Sequence, residues 1–94
     1  MNTNITESSG NVFADLGFDP AEAAILQLRA KLMSDLREHI QSSGMTHAEA
    51  AEKLKIARSR MAELMRGKWE NFSLEMLITL AARAGCKVTL ELAA

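Results

Sequence analysis

The stretch from Thr46 to Lys68, THAEAAEKLKIARSRMAELMRGK, has the hydrophobic spacing of two short helices separated by an abrupt break. Thr46 is a typical N-cap residue, and the glutamate three positions later completes the reciprocal capping pattern of a helix start. A break at residues 55–57 divides the two apolar faces, and Gly67 ends the second. Two short helices joined this tightly, with Ile56 in the turn, form a helix-turn-helix. The rest of the chain is expected to be arranged around this pair.

The spacing also predicts which side of each helix packs inward. The inward positions are Ala50, Ala51 and Leu54 in the first helix and Met61, Leu64 and Met65 in the second. The outward positions of the second helix are Arg58, Ser59, Arg60, Glu63 and Arg66. Long hydrogen-bond donors of this kind suit the base edges and phosphates of DNA. The alternative is an ordinary helical hairpin within a small bundle.

Basic residues are concentrated in the second half of the chain, although the net charge is only −1. Residues 1–52 hold three Lys or Arg against eight Asp or Glu, whereas residues 53–94 hold eight against four. Between Lys53 and Lys68 six side chains are basic and one is acidic. A solvated charged face would explain this cluster alone, but its coincidence with the helix-turn-helix favours phosphate binding. The candidates for phosphate contact are Lys53, Lys55, Arg66 and Lys68.

The run AAEKLKIARSRMAELMRGK, residues 50–68, resembles the DNA-binding core of the Xre (Cro/cI-repressor) helix-turn-helix family. The two alanines let the helices cross closely, Ile56 fills the turn, and the sequence RGK is similar to the helix-ending signature of that family. Lys55 departs from the usual Gly of the turn, at a cost of roughly 1–2 kcal/mol. Ala57 departs from the usual Ser, Thr or Asn cap, at a cost of about 1 kcal/mol.

The resemblance implies that helix 57–66 enters the major groove of DNA. The side chains expected to read bases are Arg58, Ser59, Arg60 and Glu63. Glu63 either accepts a hydrogen bond from a cytosine amino group, orients an arginine, or is simply an exposed charge. His47 occupies a position near the start of the first helix where related proteins place a phosphate-contacting side chain.

The segment before the motif divides into a tail, a short apolar piece and a long helix. Residues 1–10 are polar and aperiodic, which predicts a flexible tail before a single domain over residues 11–94. Residues 11–20, NVFADLGFDP, are too apolar for a free linker, and a short extended piece is expected there. Its opening, NVFADLGF, resembles the segment that precedes the helical core in small antitoxin-like Xre proteins.

A cap and a proline at Asp19-Pro20 predict a helix that runs to about Ser42, with Gly44 near its end. Its predicted core stripe is Ile25, Leu28, Leu32, Leu36 and Ile40. Two further apolar residues, Leu26 and Met33, widen this surface. They indicate either a broader core or a contact between the first half of the helix and another chain.

After the motif, Ser73 caps a predicted helix from Leu74 to Ala84 that Gly85 ends. Its predicted inward residues are Leu74, Leu77, Ile78 and Ala81. Trp69 and Phe72 are interpreted as hydrophobic anchors of the preceding loop rather than as base-stacking groups.

The C-terminal segment 86–92, CKVTLEL, changes to the two-residue period of a β-strand. A lone strand leaves its backbone polar groups unsatisfied, so this one must pair with the NVFADL segment, with its own copy or with a foreign strand. Pairing with a second copy is the preferred prediction. It places Val88, Leu90 and Leu92 in a dimer interface.

No catalytic constellation, metal-ligand cluster or Gly-rich phosphate loop can be recognised, so neither an enzyme nor a cofactor is expected. The two histidines, His39 and His47, lack partners at metal-ligand spacing, and the lone Cys86 is interpreted as a structural residue. No apolar run reaches the ~20 residues of a membrane span. The start of the chain also lacks the plan of a signal peptide, so a cytoplasmic location is expected.

Together these features predict an all-α, lambda-repressor-like bundle of four to five helices with a short terminal β-strand. The expected function is sequence-specific binding of double-stranded DNA by a homodimer that represses transcription. The antitoxin resemblance implies a partner of the RelE/HigB ribonuclease-toxin type and repression of its own operon. The alternatives are a free-standing phage- or plasmid-type repressor and, from another class, a protein-binding helical adaptor.

Overall fold

The computed structural model describes residues 11–93, which form five α-helices and one 3-10 turn. The helices are α1 (Val12–Asp15), α2 (Pro20–Ser43), α3 (His47–Leu54), α4 (Arg58–Met65) and α5 (Leu74–Arg83). The 3-10 turn, Trp69–Asn71, lies between α4 and α5. The predicted all-helical, lambda-repressor-like architecture is therefore confirmed. The predicted flexible tail, residues 1–10, falls outside the described residues.

Three helices begin at the caps that the sequence predicts. Asp19 accepts hydrogen bonds from two backbone N–H groups at the start of α2, and Ser73 accepts one at the start of α5. Thr46 and Glu49 form the predicted capping box of α3, with distances of 3.1 and 2.9 Å. Helix α4 differs, because Ala57 provides no side-chain acceptor.

A residue in the left-handed region follows each of the helices α2, α3, α4 and α5. Three of these residues are Gly44, Gly67 and Gly85, and the fourth is Lys55 with φ 59°. Lys55 is the one non-glycine residue with positive φ in residues 11–93. The predicted strain at this turn is thus present, since a side chain costs roughly 1–2 kcal/mol in this conformation.

The core lies where α2, α3, α4 and α5 meet. Its buried residues are Met33, Leu36, Ile40, Ala50, Ala51, Leu54, Met61, Leu64, Phe72, Leu77, Leu80, Ala81 and Ala84. Almost all of the predicted inward residues of the motif are among them, and Met65 is half-buried. In α5 the buried face includes Leu80, which was not predicted, whereas Leu74 and Ile78 are half-buried beside a cleft.

Two elements differ from the prediction. Residues 12–15 are helical rather than extended, because the Asn11 side chain accepts hydrogen bonds from the backbone of Phe13 and Ala14 and so starts a helical turn. Residues 86–92 form no strand in the described part of the chain. A strand requires a neighbouring strand edge, and the intrachain candidate, the NVFADL segment, is occupied in α1.

The predicted core stripe of α2 is also wrong for the first half of that helix. Ile25 is 49% exposed and Leu28 is 38% exposed, whereas Leu36 and Ile40 are buried. Helix α2 is about 36 Å long at 1.5 Å per residue, so its first half extends past the core formed by the shorter helices. In the described part of the chain, α1 covers some of this half over the buried Ala23, and the loop before α5 contacts it through Arg29.

Candidate nucleic-acid interface

The turn between α3 and α4 fixes the orientation of α4. Ile56 donates its backbone N–H to the Ala51 carbonyl at 3.0 Å, and Lys55 donates to the Glu52 carbonyl at 3.2 Å. This pair of bonds is the Schellman arrangement, in which a left-handed residue closes the end of a helix. The Ile56 side chain packs against the core, so the direction in which α4 leaves the turn is determined by buried contacts.

The arginines of the chain fall into two groups. Four of them, Arg29, Arg37, Arg60 and Arg83, donate hydrogen bonds to backbone carbonyls elsewhere in the fold. Arg58 and Arg66 are exposed, and neither side chain forms a hydrogen bond or ion pair with residues 11–93. The first group holds the fold together, and the second is free to meet a ligand.

Two arginines of the first group close the ends of the motif helices. Arg37 Nε lies 3.1 Å from the Met65 carbonyl, at the end of α4, and Arg83 Nη1 lies 3.0 Å from the Leu54 carbonyl, at the end of α3. Carbonyls at these positions have no partner within their own helix, and a cation there is favoured by the helix dipole. Arg37 and Arg83 therefore position both motif helices.

A third arginine holds the loop that follows α4. Arg29 donates to the carbonyls of Trp69, Glu70 and Phe72 at 3.0–3.2 Å, and its guanidinium lies 5.2 Å from the centre of the Trp69 ring. The other side of this contact is made by Phe13 of α1, whose ring meets Trp69 edge-on at 5.3 Å. Trp69 and the buried Phe72 thus act as the predicted loop anchors.

Sequence patterns did not predict the positioning roles of Arg29, Arg37 and Arg83. A signal was present for two of them. Arg29 and Arg37 lie four residues before and after the buried Met33, so all three share one face of α2. Charged side chains on a buried face require polar partners, and the carbonyls at helix ends are the commonest unsatisfied acceptors in a helical protein.

The predicted base-reading residues divide along the same line. Arg60 Nη1 lies 3.2 Å from Glu63 Oε1 and 3.1 Å from the Asn71 carbonyl, and its guanidinium stacks 4.2 Å from the centre of the Phe72 ring. Asn71 Nδ2 lies 3.4 Å from the other carboxylate oxygen of Glu63. Arg60 and Glu63 are therefore half-buried and tied to the loop, whereas Arg58 and Ser59 are exposed at the start of α4.

The candidates for phosphate contact lie around this helix. They are His47 at the start of α3, Lys53 in its last turn, Lys55 in the turn between the helices, and Arg66 and Lys68 just after α4. All five are exposed, and their side chains make no hydrogen bond or ion pair within the described part of the chain. The fold therefore leaves unpaired basic groups on α3, in the turn between the two helices and just after α4. Residues 11–93 contain no cluster of His, Cys, Asp and Glu that could hold a metal ion.

A family model described as a helix-turn-helix domain matches residues 12–93, a range that includes all five helices and the C-terminal segment. The comparison with curated proteins finds no match. Among residues 11–93, no helix combines the length and the apolar character that crossing a membrane requires.

Proposed function

We propose that the chain, which belongs to the helix-turn-helix domain family that matches residues 12–93, is a DNA-binding regulator of the Xre/Cro type. It represses transcription by inserting α4 into the major groove. One observation carries the proposal. Arg58, at the first position of α4, is exposed and unpaired, although four other arginines of the chain are engaged with backbone carbonyls. A free guanidinium at the start of such a helix is the donor that reads guanine in the major groove.

Within this proposal, Arg58 and Ser59 make the direct base contacts. Arg60 and Glu63 act as a unit, in which Arg60 and Asn71 hold the Glu63 carboxylate near the groove. The lone pairs that these bonds leave free are available to a cytosine amino group. The phosphate contacts are assigned to His47, Lys53, Lys55, Arg66 and Lys68, which are exposed on and beside the motif.

The proposed regulator acts as a homodimer. Two recognition helices about one turn of DNA apart (~34 Å) bind two half-sites, and the combined affinity is sufficient to exclude polymerase from a promoter. The dimer contact is assigned to the C-terminal segment, at Val88, Leu90 and Leu92. Leu90 and Leu92 support the assignment because they are 70% and 103% exposed, which is unfavourable for apolar side chains in a monomer.

The test begins with selection of bound duplexes from a random-sequence library, since the operator is unknown. Affinity is then measured for the selected duplex and a scrambled one. Arg58→Ala should weaken binding to the selected duplex by roughly 5- to 150-fold, the equivalent of about 1–3 kcal/mol for a lost base contact. It should lower the affinity for the scrambled duplex much less. Lys68→Ala is the matched control for loss of one positive charge, and should weaken both duplexes about equally.

The salt dependence gives a second readout from the same samples. Affinity should fall by roughly 0.9 log unit per log unit of salt for each phosphate contact. Failure to enrich any duplex would refute DNA binding and favour the helical adaptor. Equal losses for Arg58→Ala on both duplexes would show that Arg58 contacts the backbone rather than a base.

We further propose that the chain is the antitoxin of a toxin–antitoxin pair whose toxin is a RelE/HigB-type ribonuclease. The resemblance of NVFADLGF to antitoxin-like proteins supports this, and so does the surface of α1 and the residues after it. Val12, Leu16 and Phe18 are 56%, 70% and 42% exposed, and they lie in the half of the chain that carries an excess of acidic residues. An exposed apolar patch with acidic surroundings suits a small basic protein.

Co-expression with the neighbouring reading frame tests the antitoxin proposal. A small basic product of about a hundred residues should co-purify with the wild-type chain and should be released by Leu16→Asp, which places a charge in the patch. Ser34→Asp, which adds the same single negative charge at an exposed position of α2, is the control and should leave the complex intact. Absence of a complex with the wild-type chain would favour the free-standing repressor.

A further inference from the structure

The C-terminal segment, residues 86–93, has no regular secondary structure and makes almost no backbone hydrogen bonds. The Cys86 N–H donates to the Ala81 carbonyl at 2.9 Å, which closes α5, and no backbone hydrogen bond joins residues 87–93 to the rest of the described chain. Val88 packs partly against the core, whereas Leu90 and Leu92 are largely or fully exposed. This row of unpaired donors and acceptors is suited to pairing with another strand.

The order of residues in this segment is self-complementary. When two copies of CKVTLEL run antiparallel with Thr89 opposite Thr89, Lys87 lies opposite Glu91 and Val88 lies opposite Leu90. The two-fold axis repeats each of these pairs, and Cys86 then lies opposite Leu92. All apolar side chains fall on one face and all polar ones on the other, as the two-residue period of a strand requires.

Other registers lose this match. A shift that brings Val88 or Leu90 onto the two-fold axis places Lys87 and Glu91 opposite uncharged residues. A register in which the two-fold axis passes between two neighbouring residues places apolar residues opposite polar ones. The apolar faces of the two strands then point in opposite directions. The register centred on Thr89 is therefore the one that satisfies charge and hydrophobicity together.

The fold provides a surface for the apolar side of such a ribbon. A cleft of about 110 Å³ lies between α2, α5 and the C-terminal segment. Its apolar lining residues are Leu28, Leu32, Leu74, Ile78, Val88 and Leu90. A two-stranded ribbon alone is only marginally stable, but one that covers this cleft in each copy also removes Leu28 and Leu90 from water.

From these observations we infer that a second copy of the chain pairs with residues 86–92 as an antiparallel strand centred on Thr89. The pairing partner is the same segment of the second copy, because Lys87 of each copy then faces Glu91 of the other. The inference specifies the contact of the proposed dimer, and the pairing is measured without DNA. Its failure therefore leaves the DNA contacts assigned to α4 untouched.

A charge exchange tests the register. Lys87→Glu and Glu91→Lys each convert two attractive pairs into repulsive ones, and should raise the dissociation constant of the dimer by roughly ten- to a hundredfold. The double variant K87E/E91K restores opposite charges at both pairs, and should return the dissociation constant close to the wild-type value. Both positions are exposed, so circular dichroism should show the wild-type helix content in all three variants.

Cross-linking tests the position of the axis. In a Cys86→Ser background, Thr89→Cys places two thiols opposite each other, roughly within the 4.4–6.8 Å range of Cα distances that a disulfide spans. Leu92→Cys in the same background is the control. Leu92 is fully exposed, but its two copies are then about 20 Å apart, so only Thr89→Cys should form a covalent dimer under mild oxidation.

Three results would each overturn the inference. The first is a wild-type protein that remains monomeric in sedimentation at tens of micromolar, which is roughly the concentration range of weak specific dimers. The second is a double variant that dimerises no better than the single ones. The third is equal cross-linking at positions 89 and 92.

Discussion

Replacing Arg60 by alanine should lower the stability of the free protein, whereas Arg58→Ala should lower only its affinity for DNA. The two residues are neighbours on the same helix and carry the same charge. They differ in their contacts. Arg60 meets Glu63, the Asn71 carbonyl and the Phe72 ring, whereas the Arg58 side chain forms no hydrogen bond, ion pair or ring contact with the described residues.

The magnitude follows from those three contacts of Arg60. The cation–π contact contributes about 0.5–1 kcal/mol at a partly exposed site, and the hydrogen bond to the carbonyl about 0.5–1.5 kcal/mol. The ion pair adds about 0.2–1 kcal/mol, towards the lower end because both side chains are about one-third exposed, at 37% and 30%. Arg60→Ala should therefore lower the free energy of unfolding by about 1–3 kcal/mol, and Arg58→Ala by less than about 0.5 kcal/mol.

Thermal unfolding followed by circular dichroism measures the difference. Each kcal/mol lowers the midpoint by about 4–8 °C in a domain of this size. Arg60→Lys is an informative intermediate, because it keeps the charge near Glu63 but loses the flat guanidinium over Phe72. If Arg60→Ala unfolds at the same temperature as Arg58→Ala, the Arg60 contacts add no stability and the division of the arginines into two groups is wrong.

Three further changes have outcomes that the local geometry sets. Ala57→Ser supplies the missing cap of α4 and should raise the free energy of unfolding by about 1 kcal/mol in urea titration; no gain would mean that the first turn of α4 is already satisfied by water. Gly67→Ala and Gly44→Ala both place a side chain at positive φ at a cost of roughly 1–2 kcal/mol, but an added Cβ at Gly67 lies 3.0 Å from Arg37 Nη1 and at Gly44 meets nothing within 4 Å. The Gly67 variant should thus be the less stable of the two in the same titration, and equal stability would show that Arg37 moves aside freely. Truncation after Gly85 should leave a folded protein that is monomeric in light scattering. If the truncated protein remains dimeric, the interface lies elsewhere, most plausibly on the exposed first half of α2.

The motif could be predicted from the sequence because its determinants are local. The capping box at Thr46, the cap at Ser73 and the glycine that ends α4 each act within four residues of the helix end that they define. The resemblance to the Xre family placed Lys55 at the left-handed position of the turn, and it adopts φ 59°. The prediction of an extended segment at residues 12–15 was wrong because the Asn11 side chain caps the first turn of a short helix there.

Only the tertiary structure decided which arginines are free. Arg58, Arg60 and Arg66 look equivalent in the sequence, as outward residues of one basic helix and its end. Arg60 is engaged because Asn71 and Phe72, which lie in the next loop, are brought within 3.1 and 4.2 Å of its guanidinium by the packing of the turn.

The exposed C-terminal segment is a second case in which the local sequence and the tertiary contacts determine different things. Its alternating sequence determines that it can be a strand, but a strand forms only where another strand supplies the opposite row of hydrogen-bonding groups. Residues 11–93 of a single copy offer no such edge, because α1 uses the residues that were the candidate partner. Local sequence thus determined where these helices begin and end, whereas contacts between residues distant in the chain determined which side chains and which backbone groups remain available to a ligand.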